Sequence, residues 1–73
     1  MTNHFQLAEK FFQQGEFEKA CEEYEQAIVL QLDHVEAYIG WGRALSVLKK
    51  YQEAIAKYQQ AIEFNADSAE AYF

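Results

Sequence analysis

Ala54-Ile55-Ala56-Lys57-Tyr58-Gln59-Gln60-Ala61-Ile62-Glu63-Phe64 has an earlier copy in the same chain, Ala20-Cys21-Glu22-Glu23-Tyr24-Glu25-Gln26-Ala27-Ile28-Val29-Leu30. Ala20 aligns with Ala54, Tyr24 with Tyr58, and Gln26-Ala27-Ile28 with Gln60-Ala61-Ile62, always at an offset of 34 residues and without a gap. A fixed period of that length marks a stacked helical-repeat array, in which each unit buries its apolar face against the next. The expected fold class is all-α, built from antiparallel helix pairs.

Composition narrows the class further. A chain of 73 residues makes at most one small domain, and at this size only about 60% of the unfolded surface is buried. Cys21 is the single cysteine, so no internal disulfide can staple the core. No His and Cys cluster has metal-ligand spacing, and no cofactor is expected. Packed helices and self-association are the remaining routes to stability. With 51% apolar residues, the chain is rich enough to pack rather than stay disordered. The formal net charge of −6 argues against a nucleic-acid role, which needs a concentrated basic face. That charge is uneven: residues 1–34 carry Lys10 and Lys19 against seven acids, a balance of −5. A protein or peptide partner meeting the first half is therefore expected to be basic. No window approaches the ~20 apolar residues of a membrane span. Met1-Thr2-Asn3-His4-Phe5-Gln6 lacks the charged start and apolar run of a signal peptide, so a cytoplasmic location is expected.

Residues 3–14 read as a first helix, with Leu7, Ala8 and Phe11 on one face and Thr2 or Asn3 as the cap. Gly15 ends it in the open geometry of a tight helical turn. Residues 17–31 read as a second helix whose stripe holds Phe17, Ala20, Cys21, Tyr24, Ala27, Ile28 and Leu30. A connection as short as Gly15-Glu16 makes the two helices antiparallel neighbours. Asp33 and Glu36 have capping-box spacing at the entry to a third helix, residues 35–48. Lys49-Lys50 then stands where Gly15-Glu16 stood, and residues 51–64 form the fourth helix. A fifth begins near Ala69 and stops at Phe73, so the chain reads as a piece of a longer array or as one completed by another molecule.

These residues resemble the tetratricopeptide repeat, whose 34-residue unit carries a Trp, a Leu-Gly pair and a Tyr on its first helix, Ala-x-x-x-Phe on its second, and a closing Pro. Residues 35–68 supply Tyr38, Trp41-Gly42, Leu45, Ala54 and Tyr58 in those places; residues 1–34 supply His4, Leu7-Ala8, Phe11, Ala20 and Tyr24. The resemblance covers the whole chain as one domain: repeat one at 1–34, repeat two at 35–68, and the opening of a third at 69–73. It implies a right-handed superhelical stack. Small residues are expected at helix crossings: Ala8 and Gly42 within a repeat, Ala20 and Ala54 where the second helix meets the first, Ala27 and Ala61 between repeats. Two departures stand out. Leu32 and Ala66 replace the closing Pro, removing a helix stop and opening a route to exchanged helices. His4 replaces a large aromatic, which weakens the expected packing at the N-terminus.

The resemblance also implies a function. Members of this family bind an extended peptide or helix on the concave face formed by the first helix of each repeat. On this chain that face is Thr2, Phe5, Gln6, Glu9, Phe12 and Gln13, then Glu36, Ile39, Gly40, Arg43, Ser46 and Val47. Phe5 and Phe12 lie seven apart on a face other than that of Leu7 and Phe11, which points to burial against a partner. The carboxylate clamp with which some members hold acidic tails is not expected, because Phe5, Glu9 and Gly40 occupy three of its places and only Arg43 suits it. Catalysis is not expected either: Cys21 with His4 or His34 lacks an orienting residue and an oxyanion donor. His34 reads as a solvated loop residue. The alternative reading is structural: Ile55, Tyr58, Ile62 and Phe64, with Tyr72 and Phe73, form an uncovered end through which copies stack or swap helices into a homo-oligomer.

Overall fold

The computed structural model describes residues 3–64. It contains four α-helices, α1 (His4–Gln13), α2 (Phe17–Leu30), α3 (Val35–Val47) and α4 (Tyr51–Phe64). No strand occurs among the described residues. The pairs α1/α2 and α3/α4 pack closely, α2 stacks on α3, and α1 only grazes α3. This is the all-α repeat layout that the 34-residue period predicts.

Each helix boundary has an identifiable cause. Asn3 Oδ1 accepts from the Gln6 amide at 2.7 Å, and Gln6 Oε1 accepts from the Asn3 amide at 3.4 Å. This reciprocal box satisfies amides that have no partner inside the helix. At the far end Gly15 adopts φ +81°. Its amide donates to Phe12 O at 3.0 Å, and the Glu16 amide donates to Phe11 O at 2.9 Å, the paired arrangement of a Schellman stop. The α3–α4 turn repeats it with Lys49 at φ +65°. There Lys49 donates to Ser46 O at 3.0 Å and Lys50 to Leu45 O at 2.8 Å.

Between α2 and α3 the chain breaks without proline. Gln31 is extended at φ −147°, ψ 97°, so the helix cannot run on through the corner. The His34 amide closes the turn onto Gln31 O at 3.2 Å. The cap of α3 differs from the expected one. Its first residue is Val35, which makes His34 the capping position and leaves Asp33 one residue too early to reach it. His34 Nδ1 accepts from the Ala37 amide at 3.3 Å.

The core is made by close approach. Ala8, Ala20, Ala37 and Ala44 are wholly buried, and Ala54 and Ala61 nearly so. Tyr24 is the one large side chain sealed almost completely, at 1% exposure. A Cβ on Gly42 would sit 2.9 Å from the Tyr58 ring, so that ring requires glycine opposite it on α3. A Cβ on Gly40 would sit 2.6 Å from Tyr24 Oη and closer still to its ring. Gly42 thus joins the helices of one repeat, while Gly40 joins one repeat to the next. Trp41 is half-buried, with Lys57 Nζ 4.0 Å from its ring centroid, a favourable cation–π placement across the α3/α4 seam. His4, standing where a large aromatic was expected, places its Nδ1 2.6 Å from Glu23 Oε1 and so contacts α2 from α1. With the His4 side chain 42% exposed, solvent holds this contact to less than about 1 kcal/mol.

Candidate functional site: the α1/α3 face and the α4 stripe

Phe5 and Glu9 on α1 and Glu36, Ile39, Gly40 and Arg43 on α3 line one hollow of about 150 Å³. All six were expected on the concave face of one repeat or the other and stand three or four residues apart within each helix. The light contact between α1 and α3 leaves the space between them. Its floor is set by Tyr24 of α2, whose ring lies against Gly40 and whose hydroxyl donates to Glu9 Oε2. Burial, and then that bond to the carboxylate, push the Tyr24 phenol well above its ordinary range. Glu9 is therefore held at the rim by a neutral donor rather than by a cation.

The aromatic residues serve the fold as well as the face. The Phe5 ring lies 4.7 Å from that of His34 and 6.1 Å from that of Tyr24. His34 is thus half-buried in a stack and bonded into the α3 cap, not a solvated loop residue. Phe12 meets Phe17 edge-on at 5.1 Å and 83°. The Arg43 guanidinium sits 5.5 Å above the Phe12 ring. Phe5 and Phe12 are accordingly half-buried by their own chain, whereas Ile39 and Val47 are the open apolar positions at 38% and 50% exposure. Gly40 is buried rather than open. Gln6 and Gln13 are exposed at the two ends of α1, Gln6 inside the capping box. Ser46 Oγ donates to Gly42 O at 2.9 Å and is occupied within α3. Thr2 lies outside the described residues. The supporting roles of Tyr24 and His34 escape sequence reasoning, because neither lies on the first-helix face that the period identifies.

The second surface is on α4. Ile55 and Ile62 are 54% and 39% exposed, while Ile28, the repeat counterpart of Ile62, is 7% exposed beneath α3. Tyr51, also exposed, belongs to the same stripe and was not anticipated. Tyr58 turns inward, half-buried against Gly42, because its ring fills the notch that glycine leaves. Phe64 is nine residues from Ile55, which at 3.6 residues per turn puts it on the opposite side of the helix. There its ring stacks on Tyr38 at 5.7 Å while Phe64 stays 47% exposed, as expected of an apolar residue at this end. Tyr72 and Phe73 lie outside the described residues.

Neither surface carries a reactive constellation. Cys21 is free and half-buried, and burial pushes its thiol up, away from the reactive thiolate. No group of three or more potential metal ligands converges among the described residues. No helix among them is long and apolar enough to cross a membrane.

Stacked helix pairs with an open face between first helices define a class, the helical-repeat interaction modules. The family model described as TPR repeat matches residues 8–46 and again residues 42–73. The chain belongs to the tetratricopeptide repeat family. Members are generally protein-interaction modules and typically non-enzymatic scaffolds. A search of curated proteins gives no match.

Proposed function

We propose that the protein is a non-enzymatic scaffold that binds a peptide or helix along the α1/α3 face, working as one domain of two repeats, 1–34 and 35–68. The observation that carries this reading is the hollow that unites Phe5 and Glu9 with Glu36, Ile39 and Arg43. Ile39 and Val47 offer exposed apolar contact, and Glu9 and Glu36 favour a ligand bearing positive charge. Arg43 sits over Phe12 and is exposed at the same rim, where the two acids outnumber it. The test is selection of peptides from a displayed random library, followed by titration of the winners against wild type and an Ile39→Ser/Val47→Ser variant. Both positions are exposed, so the variant keeps its helices. Basic winners that bind wild type at least about tenfold more tightly than the variant support the reading, tenfold being about 1.4 kcal/mol. Winners indifferent to the substitutions sink it.

A second reading is favoured by a separate observation. Ile62 stands open where its counterpart Ile28 is covered, so the α4 stripe supports self-association into a homo-oligomer. Concentration-dependent mass in solution tests it, and a monomer at every concentration refutes it.

A further inference from the structure

Resting on the reading of the α1/α3 face as the binding face, we infer that its hollow receives one lysine side chain of the partner, and that Tyr24 makes it prefer lysine to arginine by holding one oxygen of Glu9. The lining divides by chemistry. Glu9 and Glu36 bring carboxylates from the two helices, Phe5 and Ile39 bring apolar wall, and Gly40 leaves the floor to the Tyr24 ring. Arg43, the cation of the lining, lies over the Phe12 ring. Among the described residues the ion pairs are His4–Glu23 and Lys19–Glu16, so neither carboxylate of the hollow is paired. A long aliphatic stem that ends in a cation matches such a place: the stem lies on apolar surface while the head meets the acids.

Lysine and arginine both have that form, and Glu9 tells them apart. Tyr24 is 1% exposed, and its hydroxyl donates to Glu9 Oε2. Burial and that bond raise the phenol, so at neutral pH it stays a donor. Arginine gains most over lysine where a carboxylate turns both oxygens to its planar fork. On Glu9 one oxygen is already engaged from the floor of the hollow, which leaves Oε1 for a donor that needs a single point. An ammonium is such a donor. It is compact, and its three N–H groups turn freely to separate acceptors, here Glu9 Oε1 and the Glu36 carboxylate. Tyr24 is sealed from the partner and acts only through Glu9, which makes it a positioning residue. Both acids are exposed and Arg43 opposes them at the rim, so each contact changes affinity by about two- to fivefold.

The peptides selected against wild type in the display experiment serve as the probe. Each basic position of a winner is made lysine, arginine or norleucine, which keeps the stem and lacks the ammonium. The set is titrated at one salt concentration against wild type, Glu9→Gln and Tyr24→Phe. One position should bind lysine about threefold or more tightly than either arginine or norleucine. Glu9→Gln, at an exposed position, should weaken the lysine peptide about two- to fivefold and leave the norleucine peptide unchanged. Tyr24→Phe frees Oε2 and should bring the lysine-to-arginine ratio to about one. A Tyr24→Phe variant that weakens all three peptides alike, with the ratio kept, overturns the role of Tyr24. Lysine binding that ignores Glu9→Gln overturns the lysine site itself. Winners that need Ile39 and Val47 but show no lysine preference overturn this inference and leave the binding face standing. Winners indifferent to Ile39→Ser/Val47→Ser, or no winners at all, remove both.

Discussion

Lys49→Gly should stabilise the protein, because the two turns inside the repeats have the same geometry but not the same residue. Gly15 and Lys49 are 34 residues apart, adopt φ +81° and +65°, and end their helices with matching pairs of hydrogen bonds. An L-residue in the left-handed region costs roughly 1–2 kcal/mol. Glycine returns part of that gain, about 0.5–1 kcal/mol, through the greater freedom of its unfolded chain. The net stabilisation is about 0.5–1 kcal/mol, or roughly 2–8 °C in melting temperature for a domain of this size. The Lys49 side chain is exposed, so its removal leaves no hole. The reverse change, Gly15→Ala, meets nothing within 4 Å of the new Cβ, so its net cost is backbone strain less the same unfolded-chain term, about 0.5–1 kcal/mol. Thermal melts followed by circular dichroism at one fixed protein concentration separate these effects from any change in association. If Lys49→Gly lowers the melting temperature, or Gly15→Ala raises it, the equivalence of the turns is wrong.

Other outcomes follow from single contacts. Gly40→Ala should destabilise by about 1–3 kcal/mol in a denaturant titration, as expected of an overpacked site, because its Cβ falls on the Tyr24 ring. Tyr24→Phe removes the donor to Glu9 at a cost of about 1 kcal/mol. The phenol of Tyr24 is raised in the folded state by burial and by its bond to Glu9, so the folded protein holds that proton more tightly than the unfolded chain. Its contribution to stability is therefore full below the ordinary tyrosine value of about 10 and lost as pH climbs above it. Denaturation midpoints from pH 8 to pH 11 should fall more steeply for wild type than for Tyr24→Phe. Cys21, with its thiol raised by burial, should react with a thiol reagent at pH 8 at least about tenfold more slowly than in the urea-unfolded chain.

The sequence made the helices legible because one period fixed two units at once. Ala8, Ala20 and Ala54 are buried as their places in the repeat require, and Gly15 turns the chain as a helix-ending glycine does. Three features depend on what a neighbour supplies and were not legible. Phe5 and Phe12 share a face by spacing, yet spacing does not reveal that His34, Phe17 and Arg43 come up to cover them. Asp33 has the spacing of a cap, but the helix starts one residue later and His34 takes that role. Phe64 is exposed as expected of an apolar end, but the phase of α4 sets it beside Tyr38 rather than with Ile55 and Ile62. The hollow was legible from its first-helix residues, while its floor was not, since Tyr24 reaches it from the second helix through the gap that Gly40 leaves.

Trp41 is the only tryptophan of the chain and sits in repeat two under the Lys57 ammonium. Its emission therefore belongs to the α3/α4 seam, while helical ellipticity belongs to all four helices. In a linear array each unit is held chiefly by its neighbour, so the ends are free to fray before the middle. Comparing the two signals on one melt measures how tightly the repeats are coupled. Coincident curves mean a single cooperative unit, and an early loss of ellipticity with unchanged emission means that repeat one peels away while the seam beneath Lys57 stays shut.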